Sequence, residues 1–398
     1  MTTALHGPVF RADPHAVYRA MREEAPVHRV ELAGGVEAWL VTRYDDAKAA
    51  LTDPRLVKGV LHPPRRMDLP DDVHSSITHH MLSADPPDHT RLRRLVSATF
   101  TPRRIEALRP RITALTAELL DAMDGLGAAD LIETFAFPLP IAVISELLGV
   151  PMEDREAFRS WSNLVTSPGD RRAEAPRAVI ALHGYVQELI TQKRKAPGDD
   201  LLSAMIAVRE GGDRLTEEEL SSTVFLLLIA GHETTVNLIA NGVYRLLSER
   251  DRWEELRARR ELLPSAIEEF LRFDSPVQTS TVRISAQPLT IGGVDIPAGR
   301  VVMVSLLSAN MDGARYPDPE QLRLSRTGTP HLAFGHGIHY CLGAPLARLE
   351  AQIAFTGLLD RFPNLRMTVS PAELTWRPGT LIHGLEALPV TGLTSRHT

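Results

Sequence analysis

The interpretation of this chain depends on one stretch, Phe334-Gly335-His336-Gly337-Ile338-His339-Tyr340-Cys341-Leu342-Gly343. Its glycines indicate a turn-rich loop, and the helical pattern that begins at Ala344 places Cys341 just before a helix. The unpaired N–H groups at a helix N-terminus favour a thiolate over a thiol. Cys341 is the only cysteine among 398 residues, so an intrachain disulfide and a cysteine-rich zinc site are both excluded.

Five interpretations of Cys341 can be compared on the residues alone, and one of them fails. A free cysteine is most often a buried, inert core residue. A zinc site would combine it with His331, His336 and His339, although their spacing is irregular. A cysteine hydrolase would pair it with a remote histidine, and 15 histidines are available. A dinucleotide-binding loop needs Gly-x-Gly-x-x-Gly and fails, because Tyr340 stands at the third glycine position. The fifth is thiolate ligation of haem iron.

Composition and charge describe an ordinary globular chain. Hydrophobic residues make up 43% and charged residues 24%, which excludes disordered and collagen-like classes. The net charge of −6 gives no indication of a nucleic-acid partner. The N-terminus lacks a signal-peptide pattern, and the longest apolar run, Val224–Ala230, is far shorter than the roughly 20 residues that span a bilayer. We therefore expect a cytoplasmic protein without nucleic-acid or membrane partners.

The hydrophobic pattern predicts a mainly α protein with a smaller β-rich part, in a single domain over residues 1–398. The predicted helical portions are about 86–275 and 344–362, and the predicted β-rich portions are about 26–60, 284–306 and 366–390. A Thr216-x-x-Glu219 capping box opens a helix that runs without proline to about Ser248. We expect a long surface loop over 58–82, a hairpin over 289–306 and coil over 307–333.

A group of polar residues lies in the middle of this long helix, in Ala230-Gly231-His232-Glu233-Thr234-Thr235. Burial of an unpaired carboxylate costs several kcal/mol, so Glu233 must be paired, protonated or in contact with water. A zincin motif fails, because Val236 stands where its second histidine belongs. Gly231 beside Thr234 permits a local widening of the helix, which is common at functional sites. The alternative is a polar strip that faces solvent.

Two further pairs have helical spacing. Glu269 and Arg272 are three residues apart and can form an ion pair, either structural or an ordinary surface pair. His89 and Arg93 are four residues apart on one helix face. Two cationic donors on one face suit a carboxylate-bearing ligand, and the alternative is a solvated basic face.

Together, and in this order, these motifs resemble the bacterial cytochrome P450 family. The resemblance extends from about Pro14 to Val390, and the cysteine loop matches Phe-x-x-Gly-x-His-x-Cys-x-Gly at every fixed position. It implies the P450 fold, with haem b between the long central helix and the helix after Cys341. It also implies a monooxygenase that inserts one oxygen atom from O₂ into an apolar small molecule. The chain is similar to hydroxylases of macrolides, other polyketides and steroid-like secondary metabolites.

The resemblance also implies roles for individual residues. Cys341 corresponds to the axial thiolate ligand of the haem iron, and Glu233 with Thr234 corresponds to the acid–alcohol pair that delivers protons. Glu269 and Arg272 resemble the structural pair behind the haem. The implied cofactor-binding residues are His89, Arg93, Ala230, Arg283, Phe334, His339, Cys341 and Gly343. The implied substrate-pocket residues are Met81, Leu82, Ala230, Val277, Leu381 and Ile382.

Electrons are expected from separate partners, because the chain has no flavin or iron–sulfur motif. The resemblance implies a ferredoxin and a ferredoxin reductase that carry electrons derived from NAD(P)H to a monomeric enzyme. Arg91, Arg94 and Arg348 are candidates for docking an acidic ferredoxin. The alternative function is a haem-binding or recruitment protein that does not oxygenate, and a cysteine hydrolase is a third hypothesis. A passive binder has no use for the acid–alcohol pair.

The chain departs from the family pattern at two places. The family's Ala-Asn-Arg-Asp-Pro is replaced by Ala309-Asn310-Met311-Asp312-Gly313. Gln321 stands where an arginine usually completes the network of Glu269 and Arg272. We hypothesise that Gln321 forms a weaker neutral bond or that Arg323 substitutes, so that Gln321→Arg would raise thermal stability.

Overall fold

The computed structural model describes the chain except for residues 1–2, 6, 33–34, 59–68, 167–172, 210–211, 329 and 396–398. The helices in chain order are α1 (Pro8–Ala12), α2 (Pro14–Glu24), α3 (Tyr44–Thr52), α4 (Asp71–Thr78), α5 (Asp88–Thr99), α6 (Pro102–Ala107), α7 (Arg109–Met123), α8 (Pro138–Leu148), α9 (Arg155–Thr166), α10 (Ala175–Lys195), α11 (Leu201–Ala207), α12 (Glu217–Ser248), α13 (Arg250–Ala258), α14 (Leu263–Phe273), α15 (Leu306–Ala309) and α16 (Ala344–Arg361). The strands are β1 (Thr3–Ala4), β2 (Val27–Leu32), β3 (Val36–Val41), β4 (Leu56–Val57), β5 (Ala128–Asp130), β6 (Arg283–Ser285), β7 (Leu289–Ile291), β8 (Val294–Ile296), β9 (Val301–Val304), β10 (Arg366–Met367) and β11 (Pro389–Thr391). The mainly α prediction is confirmed.

The strands form a mixed sheet in the order β1-β2-β3-β9-β6-β4, a three-stranded sheet β10-β11-β5 and the pair β7-β8. The predicted hairpin over 289–306 is therefore wrong in extent, since only β7 and β8 form it. Strand β9 instead pairs parallel to β3 and antiparallel to β6. The physical reason is its apolar run Val301–Val304, which is mostly buried and suits the interior of a sheet.

The chain forms two compact units. The first comprises residues 1–60, 116–136 and 234–398, and the second comprises residues 61–115 and 137–233. The first unit contains the sheets, and its core packs α3 against the mixed sheet through Ala47, Leu51, Val302 and Val304. In the second unit, α10 packs against α9 and α11. The single domain over 1–398 stays a prediction.

Helix α12 has the predicted capping box. The Thr216 amide donates to Glu219 Oε2 at 2.8 Å, and the Glu219 amide donates to Thr216 Oγ1 at 3.2 Å. The helix remains α-helical through residues 230–235, so the widening expected there is absent. The neighbouring polar side chain of His232 bonds to the Leu228 carbonyl and to Ser162 while the backbone stays α-helical. By length and hydropathy α12 could cross a membrane, but 67% of its most apolar window is buried inside the protein, as in a core helix.

Two expected irregular segments contain helices. Residues 58–82 include α4, whose first turn carries Asp71 and Asp72 and so has favourable charge at its N-terminus. Residues 59–68 of that predicted loop lie outside the described part of the chain. The expected coil over 307–333 overlaps the short helix α15, because Ser305 caps it by accepting from the Ser308 amide at 3.1 Å.

Candidate functional site

The cysteine loop is built by two glycines with left-handed backbone. Gly335 has φ 73° and Gly337 has φ 75°, a region that other L-residues rarely adopt. A Cβ on Gly337 would lie 2.8 Å from Thr52 Cγ2, so α3 also limits this position to glycine. The Cys341 amide donates to the Phe334 carbonyl at 2.9 Å and closes the loop.

The Cys341 thiol is exposed at the end of this loop, so the interpretation as an inert core cysteine is wrong. Gly343 is the N-cap residue of α16. Within the described part of the chain, the group of potential metal ligands is His15, Asp274 and His383, which does not include Cys341. The zinc interpretation of the loop therefore finds no support.

A charged pair lies behind the loop. Arg348 in α16 donates from Nε and Nη2 to the two carboxylate oxygens of Glu268 in α14, both at 2.7 Å. Its guanidinium carbon lies 4.6 Å from the centroid of the Phe334 ring. Burial would raise the pKa of Glu268, but hydrogen bonds from Arg348 and His331 outweigh it and lower this pKa to about 2. Arg348 is thus engaged within the protein rather than being a simple surface cation. Arg91 likewise pairs with Glu219.

Glu269 and Arg272 form a buried ion pair, so the surface-pair alternative is wrong. Both residues are 2% exposed, and Arg272 donates to the two Glu269 oxygens at 2.8 and 2.9 Å. A second guanidinium, that of Arg326, donates from Nε to the same carboxylate at 3.0 and 3.1 Å. The cluster therefore contains one carboxylate and two guanidiniums.

The hypothesis that Gln321 or the Arg323 side chain completes this cluster is wrong. The buried residues Leu322 and Leu324 alternate with their neighbours, which turns Gln321 and Arg323 toward solvent. Arg323 contributes only its backbone N–H, which donates to Glu269 Oε1 at 2.9 Å, and its side chain donates to Gln321 at 2.9 Å. Sequence reasoning missed Arg326.

The other departure, Met311, also has a place at the cluster. Met311 is 3% exposed, and its Sδ lies 3.2 Å from Arg272 Nη1. The same Arg272 nitrogen donates to the Asn310 carbonyl at 2.9 Å. Because thioether sulfur is a weak acceptor, Met311 can face a guanidinium where a second arginine would repel it.

The polar centre of α12 has a buried side and an accessible side. Glu233 is 2% exposed, which rules out a solvent-facing strip, and its Oε2 lies 4.0 Å from His232 Nε2. His232 Nδ1 donates to the Leu228 carbonyl at 2.9 Å, so neutral His232 accepts from the Ser162 hydroxyl at Nε2, at 2.8 Å. On the accessible side, Ala230 is exposed and Thr234, one turn later, is half-buried.

The implied cofactor-binding cations lie in both units. In the second unit, His89 and Arg93 lie four residues apart in α5, and His89 is 3% exposed. Burial, and then the charge of Arg93, lower the pKa of His89 below its usual value. In the first unit, Arg283 in β6 is 5% exposed, and His339 is half-buried within the cysteine loop.

The structure brings together some of the implied pocket residues. Val277 and Ile382 form an isolated antiparallel bridge, and Leu381 beside them is 47% exposed. Sequence reasoning missed Gln278, whose side-chain amide donates to the carbonyls of Gly379 at 2.9 Å and Ile382 at 3.2 Å. In the second unit, Met81 is 7% exposed and Leu82 is half-buried.

Asp274, three residues before Val277, is the centre of a second buried charged cluster, which sequence reasoning missed. Its Oδ1 accepts from His15 at 2.9 Å, from His383 at 3.2 Å and from Arg245 at 3.0 Å. Burial would raise the pKa of Asp274, but Arg245 and the two histidines outweigh it and hold this pKa well below its usual value. No local sequence signal indicates this cluster, because its members are far apart in the chain.

Comparison with known proteins identifies the family to which this chain is similar. The family model described as cytochrome P450 matches residues 155–375. The chain is 51% identical to cytochrome P450 107B1 of Saccharopolyspora erythraea, over 96% of this chain and 95% of that one. It is 46% identical to the vitamin D(3) 25-hydroxylase of Pseudonocardia autotrophica, over 96% and 94% of the two chains. The solved structure of the bacillaene polyketide synthase cytochrome P450 PksS of Bacillus subtilis matches with a TM-score of 0.91 and 42% identity, over 98% and 99%.

Proposed function

The chain belongs to the cytochrome P450 family and is a haem monooxygenase, and we propose that it hydroxylates an apolar secondary metabolite of macrolide, other polyketide or steroid-like type. The observation that carries the site assignment is the single exposed thiol, held by a glycine-built loop at the start of α16. A polyketide-synthase P450 and a vitamin D(3) hydroxylase among the relatives support the substrate class.

The chemistry of the donor set fits haem b. Cys341 would supply a soft thiolate ligand to the haem iron, and the hydrogen bond from its amide to the Phe334 carbonyl holds its backbone. Haem carries two propionate carboxylates, for which Arg93 and Arg283 would supply cationic side chains and His89 and His339 would supply ring N–H donors. When bound, the haem supplies the iron at which O₂ is activated. Gly343, which has no side chain, leaves space beside the loop, and Ala230 presents only a methyl group on the accessible side of α12.

Proton delivery is assigned to Glu233 and Thr234. The Thr234 hydroxyl, half-buried on the accessible side of α12, can donate one proton and then receive another in its place. The buried Glu233 carboxyl next to it in sequence can hold that replacement proton away from bulk water. Such a relay is useful to an oxygenase and useless to a passive haem-binding protein, so the oxygenase assignment is preferred.

The spectrum of the reduced protein with CO tests the ligand. We expect a thiolate-shifted Soret band in the wild-type holoprotein and its loss in Cys341→Ser, with much of the fold retained. A wild-type holoprotein without that band would contradict the ligand assignment.

The proposed substrate is apolar because the described pocket residues are apolar. Val277 and Ile382 are held in register by their bridge and by the amide of Gln278, so they form a fixed apolar surface with Leu381. Titration of macrolides, linear polyketides and steroids against the ferric holoprotein tests the class. A spin-state change with members of these classes, and none with small polar molecules, is the expected result.

We further propose a cytoplasmic, monomeric enzyme that receives electrons from a ferredoxin and its reductase. Arg94 is exposed in α5 and belongs to neither of the ion pairs Arg91–Glu219 and Arg348–Glu268. Arg94→Glu should therefore slow reduction by an acidic ferredoxin and weaken its salt dependence without breaking either pair. An unchanged rate would remove Arg94 from the docking surface.

A further inference from the structure

The side chain of Arg348 joins a carboxylate to the cysteine loop. Its planar guanidinium forms two parallel hydrogen bonds of 2.7 Å with Glu268 and stacks over Phe334 at 4.6 Å. The Phe334 carbonyl in turn accepts a hydrogen bond of 2.9 Å from the Cys341 amide. The chain of contacts therefore runs from Glu268 through Arg348 and Phe334 to Cys341.

The Phe334 ring is enclosed by three side chains. Besides Arg348, His331 has its ring centre 5.8 Å away and Tyr340 has its ring centre 6.3 Å away. His331 also donates to Glu268 at 3.1 Å, which ties the enclosure to α14. This arrangement restricts the ring and, through it, the backbone that presents Cys341.

Both members of the ion pair keep their charges. The pKa of Glu268 is lowered to about 2, and the hydrogen bond to Glu268 is the main cause that raises the pKa of Arg348. The side chains are 40% and 35% exposed respectively, so solvent and salt weaken their fields without abolishing them. Along the chain of contacts that leads to Cys341, the positive charge of Arg348 is one residue nearer than the negative charge of Glu268.

We infer that the Arg348–Glu268 pair sets the electrostatic environment of Cys341 and thereby tunes the reduction potential of the haem iron. This inference rests on the proposed ligation by Cys341. Reduction adds one negative charge at the site, so a nearby cation stabilises the reduced form and a nearby anion destabilises it. The two halves of the pair should therefore shift the potential in opposite directions.

Potentiometric titration of the holoprotein and three variants tests this inference. At a fixed applied potential, Arg348→Gln should lower the ratio of reduced to oxidised haem about threefold to tenfold, a tenfold change being 59 mV for one electron. Glu268→Gln should raise that ratio by a similar factor. The double variant Arg348→Gln/Glu268→Gln should lie between the two single variants and slightly below wild type in that ratio, because the nearer positive charge gives the pair a small net preference for the reduced form. High salt should shrink all of these shifts.

A matched control is an arginine outside α16 that pairs with a carboxylate on that helix. Arg260 pairs with Asp360 at the far end of α16, at 2.6 Å and with side chains 35% and 63% exposed. Arg260→Gln removes an arginine of equal exposure away from the cysteine loop, so it should leave the potential unchanged. If Arg348→Gln does not fold, Glu268→Gln and the charge-retaining Arg348→Lys carry the test, and Arg348→Lys should keep most of the wild-type potential.

Two results would overturn the inference. Shifts of the same sign in Arg348→Gln and Glu268→Gln, or no shift in either while the CO complex keeps its thiolate band, would leave the pair a purely structural role. A wild-type holoprotein without a thiolate band is a different failure, since it contradicts ligation by Cys341 itself. The CO spectrum thus separates failure of this inference from failure of the proposed function.

Discussion

The cluster of Glu269, Arg272 and Arg326 and the polar centre of α12 each contain a carboxylate that is 2% exposed, but the partners of that carboxylate differ. Glu269 accepts from two guanidiniums and one backbone N–H, so both of its carboxylate oxygens have charged donors. Glu233 lies 4.0 Å from the ring nitrogen of His232 and one residue from the half-buried Thr234. A carboxylate paired in this way suits a structural role, whereas a buried carboxyl next in sequence to an accessible hydroxyl suits proton transfer.

The largest expected effect comes from breaking the cluster of Glu269, Arg272 and Arg326. Glu269→Gln removes one charge and leaves Arg272 buried without full compensation, so unfolding free energy should fall by about 3–5 kcal/mol. Chemical denaturation of the holoprotein measures it. The neighbouring variant Glu268→Gln is the control, and its pair is partly exposed, so it should cost no more than about 1 kcal/mol. Equal losses in both variants would show that burial does not distinguish the two carboxylates.

The proton-delivery side of the comparison is tested at Thr234. Thr234→Ala should lower the yield of product per NAD(P)H consumed by about 10²-fold, while stability changes little, because the relay and not the fold is lost. Thr235→Ala removes the next hydroxyl, which is 3% exposed and lies off the accessible side, and it should keep coupling. Similar uncoupling in both variants would argue against a specific relay at Thr234.

The stability difference between wild type and Glu268→Gln should depend on pH. Because the folded-state pKa of Glu268 is lowered to about 2 from its ordinary value of 4.5, the pair stabilises the fold fully above pH 4.5. That contribution is lost as pH falls through about 2. Unfolding measured between pH 5 and pH 2 should show the small stability advantage of wild type over Glu268→Gln shrinking toward zero. An advantage that grows as pH falls would contradict the assigned sign.

The smallest expected effect is at Gln321. Since Arg326 already serves as the second guanidinium on Glu269, Gln321→Arg should change the free energy of unfolding by less than about 0.5 kcal/mol, as for an ordinary surface position. Arg326→Gln, measured in the same thermal melts, should be clearly destabilising. A large gain from Gln321→Arg would restore the hypothesis that the network is incomplete.

Much of the fold and part of the site could be predicted from local patterns. The capping box at Thr216 and Glu219 acts over three residues, so its spacing alone indicated the start of α12. The same holds for the Glu269–Arg272 pair, which lies within one helical turn. The widening of α12 and the full hairpin over 289–306 failed as predictions, because they depended on which partners the side chains and strand β9 would find.

The sequence by itself determined the family, the glycine-built loop around Cys341 and the order of the motifs, because loops and helical turns depend on neighbouring residues. The tertiary structure alone decided which charges that are distant in the chain meet. Arg326 reaches Glu269 across 57 positions, Arg348 reaches Glu268 across 80, and His15 reaches Asp274 across 259. Contacts over such separations follow from how helices and strands pack, and no periodicity along the chain encodes them.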